Sequence, residues 1–237
     1  MPQVGFHLLR RFETADDALV LRRYVADWKF ADLVESAGLY FAPASKFSDD
    51  LEGHYTHHDN GRSDQQLAQW GLDARERVIA ADARARVAIH NRKAVVVCCW
   101  AAGVAESRRH WAEYGSGPEA VALQTTVGRL RRALGPEFLI VPVTYLDFAR
   151  DAIPREHSLQ PFFFKEHSFS WEQEVRVVGE MEVGRRIETE RVVQIRLASV
   201  FERIIVSPSA SSAYRGAVES RLHSASLGIP VFDSALR

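Results

Sequence analysis

Val95-Val96-Val97-Cys98-Cys99-Trp100 is the segment that most restricts how this chain can fold. Short, apolar throughout and rich in β-branched residues, it reads as a strand buried inside a sheet. Neighbouring strand residues point to opposite faces, so Cys98 and Cys99 are badly placed to pair with each other. They read instead as small buried hydrophobes in a reduced compartment.

The segments around this strand alternate between strand and helix patterns. Val4 to Phe12 and Leu19 to Val25 read as short strands or a strand and loop, and Leu39 to Phe41 as another strand, ended by Pro43. Asp27 is expected to cap a helix in which Phe30, Leu33, Val34 and Ala37 recur at helical spacing, with Gly38 as its stop. Lys46 to Ser63 reads as a long polar loop. Ser63 to Asn91 reads as one helical stretch with an apolar stripe through Leu67, Trp70, Ala74, Val78, Ala81, Ala85 and Ala88. A short helix from Ser107 to Tyr114, a strand from Ala120, a helix from Val127 and a strand from Phe138 follow. Strands at Glu172–Val178, Arg191–Arg196 and Ile204–Val206 come next, then a helix begun by Ser209 and a last strand at Pro230–Asp233. No linker, repeat or low-complexity tract divides the 237 residues, so the expected fold is a single α+β domain over residues 1–237. Its sheet is expected to be mostly antiparallel, continuous or split, and flanked by helices.

Hydrophobic residues at 46% and charged residues at 26% are ordinary for a globular protein. A net charge of -1 draws the molecule as a whole to neither nucleic acid nor membrane, so any such contact must come from a local patch. Apolar residues nowhere run for about 18 positions, so no membrane span is expected. Met1 to Arg11 lacks the long apolar core and cleavage site of a leader, which makes a cytoplasmic location the expectation.

The chemistry-bearing residues fall into four groups. Glu172, Glu174 and Arg176, read on a strand, project to one face, with the alternate residues about 7 Å apart. Two carboxylates at that spacing can serve one substrate, one stabilising positive charge at a sugar carbon and the other orienting an attacking group. Arg176 would keep the adjacent carboxylate ionised. The plainer reading is a charged strand face with ordinary cross-strand ion pairs. Arg22, Arg23, Tyr24 and Lys29 form a second group, whose guanidinium forks suit phosphate or carboxylate. A third, Asp49, Asp50, Glu52 and His54 with His57 and His58, has acids and histidines but no firm metal-ligand spacing, and no metal is expected. His110, Trp111 and Tyr114 form the fourth, on one short helix, where an aromatic face is most simply core. No phosphate-binding glycine loop, dinucleotide fingerprint, zinc-finger spacing or nucleophile elbow is present.

In order along the chain, Arg23-Tyr24, Lys29-Phe30, Leu39-Tyr40-Phe41-Ala42-Pro43 and Phe47-Ser48-Asp49-Asp50-Leu51-Glu52-Gly53 form an opening block. Cys99-Trp100, Glu106-Ser107, Trp111 and Tyr114 form a central block. Lys165, Phe169, Glu172, Glu174 and Arg176 form a third, and Val206-Ser207-Pro208, Gly228 and Ser234 a tail. The series resembles the uncharacterised bacterial family known as domain of unknown function 2971, over about residues 20 to 236. Asp50 stands where that family usually has Pro, Ala101 where His often follows the Trp, and His110 at a Met position.

The order of blocks is similar to the layout of ADP-ribosyltransferases. That similarity implies an ADP-ribosyltransferase-like fold and NAD as a substrate, with no metal. It implies that Arg23 holds the dinucleotide and that Tyr24 or Tyr40 stacks on nicotinamide, with Lys29 beside them. Glu174, partnered by Glu172, would stabilise the ribosyl cation for transfer to a protein or nucleic-acid acceptor. Asp49, Glu52, Trp100, Trp111, Tyr114 and Lys165 are the further pocket residues implied. A bacterial toxin or phage-defence effector is the matching biological role. Two alternatives stand beside it. One is a metal-dependent nuclease or phosphoesterase using Asp49, Asp50, Glu52, Glu172, Glu174 and Lys165. The other is a non-catalytic sensing or interaction module.

Overall fold

The computed structural model describes residues 15–103, 105–180 and 189–236. The expected strand at Val4 to Phe12 lies outside them. Among the described residues, eleven strands and seven helices alternate along the chain, and one nine-stranded, mostly antiparallel sheet organises them.

The apolar run at Val95 becomes the axis of that sheet, as strand β3 (Val95–Ala102). One edge of β3 pairs over its length with β8 (Glu174–Glu180), from Val95↔Glu180 to Ala101↔Glu174. The other edge is shared. β1 (Val20–Ala26) takes its end, at Leu21↔Ala102 and Arg22↔Ala101, and β2 (Gly38–Pro43) takes its start, at Ala42↔Val97 and Pro43↔Val96. The sheet therefore forks around the middle of β3. Arg23 bridges the fork, donating to the Tyr40 carbonyl at 3.3 Å and to Cys98 Sγ at 3.1 Å. Beyond β1 lie β4 (Ala120–Thr126), β10 (Arg203–Val206) and, parallel to it, β11 (Val231–Asp233). Beyond β2 lies β9 (Arg191–Gln194), and beyond β8 lies β5 (Leu139–Pro142). β6 (Thr144–Leu146) and β7 (Phe164–Glu166) form a separate parallel pair.

The two faces of the sheet differ. One carries Leu21, Val25, Val96, Cys98, Trp100, Val175 and Val177 into the main core, under helices α1 (Asp27–Ser36), α5 (Val127–Ala133), α6 (Leu197–Val200) and α7 (Ser212–Ser224). The other face carries two smaller apolar clusters, one around Phe162, Val97 and Val178, the other around Tyr24, Trp111 and Ala122. Arg22, Ala101 and Glu174 lie in one row across this second face, with Cys99 and Arg176 in the next.

Several expectations are corrected. Asp27 does not cap α1. Its carboxylate accepts from Arg221 at 2.7 and 3.1 Å and from Tyr214 at 2.9 Å, fastening α1 to α7. The long helix is two helices, α2 (His57–Gln69) and α3 (Ala74–Ala94), because Gly71 takes a φ of 87° and Asp73 caps afresh through a reciprocal bond with Glu76. α2 also begins inside the stretch read as loop, capped by Thr56. The last helix is capped by Ser211 rather than begun by Ser209. No helix among the described residues is long and apolar enough to cross a membrane.

Candidate functional site

β8 begins two residues later than its pattern suggests. Glu172 ends a 3₁₀ turn (His167–Glu172), and Gln173 takes the left-handed conformation, φ 45°, before Glu174 opens the strand. Glu174 and Arg176 therefore share a strand face, while Glu172 arrives from the turn. The charges nonetheless converge, because the second face of the sheet is covered there by turns that contribute polar groups.

Arg176 is the hub and is fully buried. Its Nε and Nη2 donate to Glu174 at 2.8 and 3.1 Å, its Nη1 and Nη2 donate to Glu52 at 2.5 and 2.8 Å, and Nη1 also donates to the Phe162 carbonyl at 2.7 Å. A guanidinium has five N–H donors, and each has an acceptor here. Glu52 comes from the turn after β2, where Gly53 takes a φ of 70°. The Glu174 backbone N–H donates to the Tyr145 hydroxyl at 2.9 Å, and the Cys99 thiol lies against the Glu174 carboxylate.

Lys165, on β7, extends the network. Its Nζ is 2.6 Å from Glu172 and 3.7 Å from Glu174. The other Glu172 oxygen accepts from the Tyr114 hydroxyl at 2.9 Å. Three carboxylates, Glu52, Glu172 and Glu174, thus share two cations. Burial pushes the Glu174 carboxyl upward, but Arg176 and then Lys165 outweigh it and hold it below its usual range. Glu52 has Arg176 as its hydrogen-bonded cation, and burial leaves its carboxyl raised. Burial would lower the Lys165 ammonium, yet Glu174 and Glu172 raise it. Burial, followed by the neighbouring Glu172 charge, raises the Tyr114 hydroxyl.

An aromatic group borders the network. It is carried by the helical segment of α4 (Arg108–His110) and the π-turn Trp111–Gly115, opposite the 3₁₀ turn. His110 bonds the Glu172 carbonyl at 3.0 Å and stacks on Tyr24, with ring centres 5.3 Å apart. Trp171 packs near-parallel to Tyr114, and the Arg109 guanidinium lies 3.8 Å over the Trp171 ring. Glu172 and Glu174 are 7% and 6% exposed, whereas Tyr114, at 41%, is the outward end of the network.

Of the residues singled out from sequence, Glu172, Glu174, Arg176, Glu52, Lys165 and Tyr114 come together. Of the others, His110 reaches the Glu172 carbonyl and the rest do not join them. Arg23 and Trp100 point into the opposite, main-core face, Arg23 against Cys98 and Trp100 near Phe201. Arg22, not Arg23, shares a face with Glu174, and its guanidinium donates to the Gly103 carbonyl and Gln124. Tyr24 and Trp111 build the aromatic cluster, the Tyr24 hydroxyl accepting from the Ser107 N–H. Tyr40 stands on the far arm of the fork, where burial and Glu190 raise its hydroxyl. Lys29 lies over the exposed Trp28 ring. Asp49 accepts from the Leu51 N–H and turns its carbonyl to Arg92. No group of three His, Cys, Asp or Glu side chains set to hold a metal occurs among the described residues.

Sequence reading missed Tyr145, Trp171 and the Phe162 carbonyl. An aromatic beside the Glu-x-Glu run was the available signal for Trp171, whereas the other two enter through tertiary contact alone. No family model, curated protein or solved structure matches the chain.

Proposed function

We propose that this chain is a non-catalytic sensing or interaction module, with its Glu-x-Glu-x-Arg segment serving as scaffold. One observation carries the reading: both acids are already engaged. Glu174 is gripped by two prongs of Arg176, and Glu172 is held between Lys165 and Tyr114. A carboxylate that is to stabilise a ribosyl cation or bind a divalent metal needs a free lone pair facing substrate. Here every oxygen of the two acids already accepts a hydrogen bond from Arg176, Lys165 or Tyr114, and both side chains are buried, so neither presents an open face to a substrate.

The test is direct. Purified chain is incubated with NAD and with protein and nucleic-acid acceptors, with and without Mg²⁺ or Mn²⁺. NAD is expected to remain intact and nucleic acid uncut, while Glu174→Gln lowers the unfolding midpoint. NAD loss or nucleic-acid cleavage by the wild type that stops in Glu172→Gln or Glu174→Gln would overturn the reading.

ADP-ribosyl transfer from NAD is the second reading, favoured by the fork in the sheet and the outward position of Tyr114. It rests on the resemblance to the 2971 family and to the transferase layout. In this reading Glu172, with Tyr114 and Lys165, is the working carboxylate, Glu174 is its support, and the biological role is that of a bacterial toxin or defence effector.

A further inference from the structure

The apolar stripe of α3 faces solvent. Ala74, Val78, Ala81, Ala85 and Ile89 recur at intervals of three and four and all are exposed. No residue of this 21-residue helix is buried. It pairs with α2 as an arm that leaves the sheet after Thr56 and returns at Val95. Ten large hydrophobic residues are exposed among those described, and five of them (Trp70, Val78, Ile79, Val87 and Ile89) lie on this arm. A helix in water owes most of its stability to the packing of an apolar face. α3 has such a face, and among the described residues nothing buries it.

We infer that the stripe is the seam of an antiparallel homodimer, in which α3 of one chain packs along α3 of a second copy. Spacing of three and four residues keeps one line of side chains against a partner helix over a length of about 31 Å. The alanines along it let the two backbones approach closely. Charge sets the occupant and the direction. From Asp73 to Ala83 the helix carries Asp73, Glu76 and Asp82 against Arg75 and Arg77. From Arg84 to Ala94 it carries Arg84, Arg86, Arg92 and Lys93 with no acid. A second copy laid antiparallel brings each acidic end beside a basic end, whereas a parallel copy sets the four cations against four. The pairing is two-fold and self-complementary, so it closes on itself.

Light scattering coupled to size exclusion, on the full chain at micromolar concentration, tests this. The expected mass is twice the 26.7 kDa of one chain. Ala81→Glu/Ala85→Glu places like charges across the seam on residues already exposed, and is expected to give monomer with unchanged helical circular dichroism. Ala85→Cys, close to the two-fold at the middle of the helix, is expected to form an intermolecular disulfide that Ala74→Cys does not form. A wild-type monomer overturns the inference, as does a dimer that the paired Glu substitution leaves intact. A monomer that binds anionic phospholipid vesicles through the stripe also overturns it.

Discussion

Arg176 and Glu52, 124 positions apart in the chain, face each other as a two-pronged ion pair, Nη1 to Oε1 at 2.5 Å and Nη2 to Oε2 at 2.8 Å. Glu174 closes on the same guanidinium from the other side. The pairings carry the turn after β2 onto the strand face of β8, and the Phe162 carbonyl ties the 160–163 turn to the same point. This polar knot sits between two apolar clusters of the second face, so it decides how the covering turns dock.

Replacing Arg176 by Met leaves the buried Glu52 without its cation and Glu174 with only the more distant Lys165. Removing one partner of a buried ion pair costs about 3–5 kcal/mol. Urea unfolding is the measurement, and a loss below about 1 kcal/mol, the scale of an exposed pair, would contradict the knot's role.

Acid is expected to weaken the fold through Glu174. Burial alone would raise its carboxyl, but Arg176, Lys165 and the Cys99 thiol hold it low. A depressed folded value means stability that is fully present above the unfolded value and is lost as pH falls through the folded one. The wild-type unfolding midpoint is therefore expected to fall below about pH 4.3. Glu174→Gln, less stable at neutral pH, should show a shallower acid limb. Parallel curves for the two proteins would refute the assignment.

Gly53 holds Glu52 in place with a φ of 70°, and a Cβ there would meet the Phe162 ring at 2.4 Å. Gly53→Ala is expected to cost about 1–3 kcal/mol from backbone strain and overpacking. Because the clash displaces Phe162, the mutant should also lose amide-exchange protection around residues 160–163.

Glu106 gathers three donors, Trp111 Nε1 at 3.0 Å, the Ser234 hydroxyl at 2.6 Å and the Ala235 N–H at 2.8 Å. Glu106→Ala is expected to release the segment after β11, at a cost of about 1–3 kcal/mol. Carboxypeptidase trimming, followed by mass spectrometry, should run faster in the mutant. An unchanged trimming rate would show that other contacts hold the segment.

Much of the architecture was legible because it is local. The β-branched run at Val95, the strand pattern of Arg22 to Val25 and the side-sharing of Glu174 and Arg176 all follow from neighbouring residues and a period of two. The extra residues that shifted boundaries, Gly71 to Asp73 and Gln173, acted through positive φ and a fresh cap, which a sliding pattern averages away. The stripe of α3 was visible, but its exposure to solvent was not. Periodicity shows that an apolar face exists and leaves open what covers it.

By itself, then, the sequence determined the mixed α and β character, the buried central strand and the one-faced pairing of Glu174 with Arg176. Tertiary structure alone decided that Glu52 would join them, that Arg22 and not Arg23 would share their face, and that their oxygens would be engaged by Arg176, Lys165 and Tyr114. The physical reason is range. Dihedral preference and side-chain alternation act over a few residues. Strand register, turn docking and the sharing of charge in a desolvated interior arise between segments that meet only when the chain has folded.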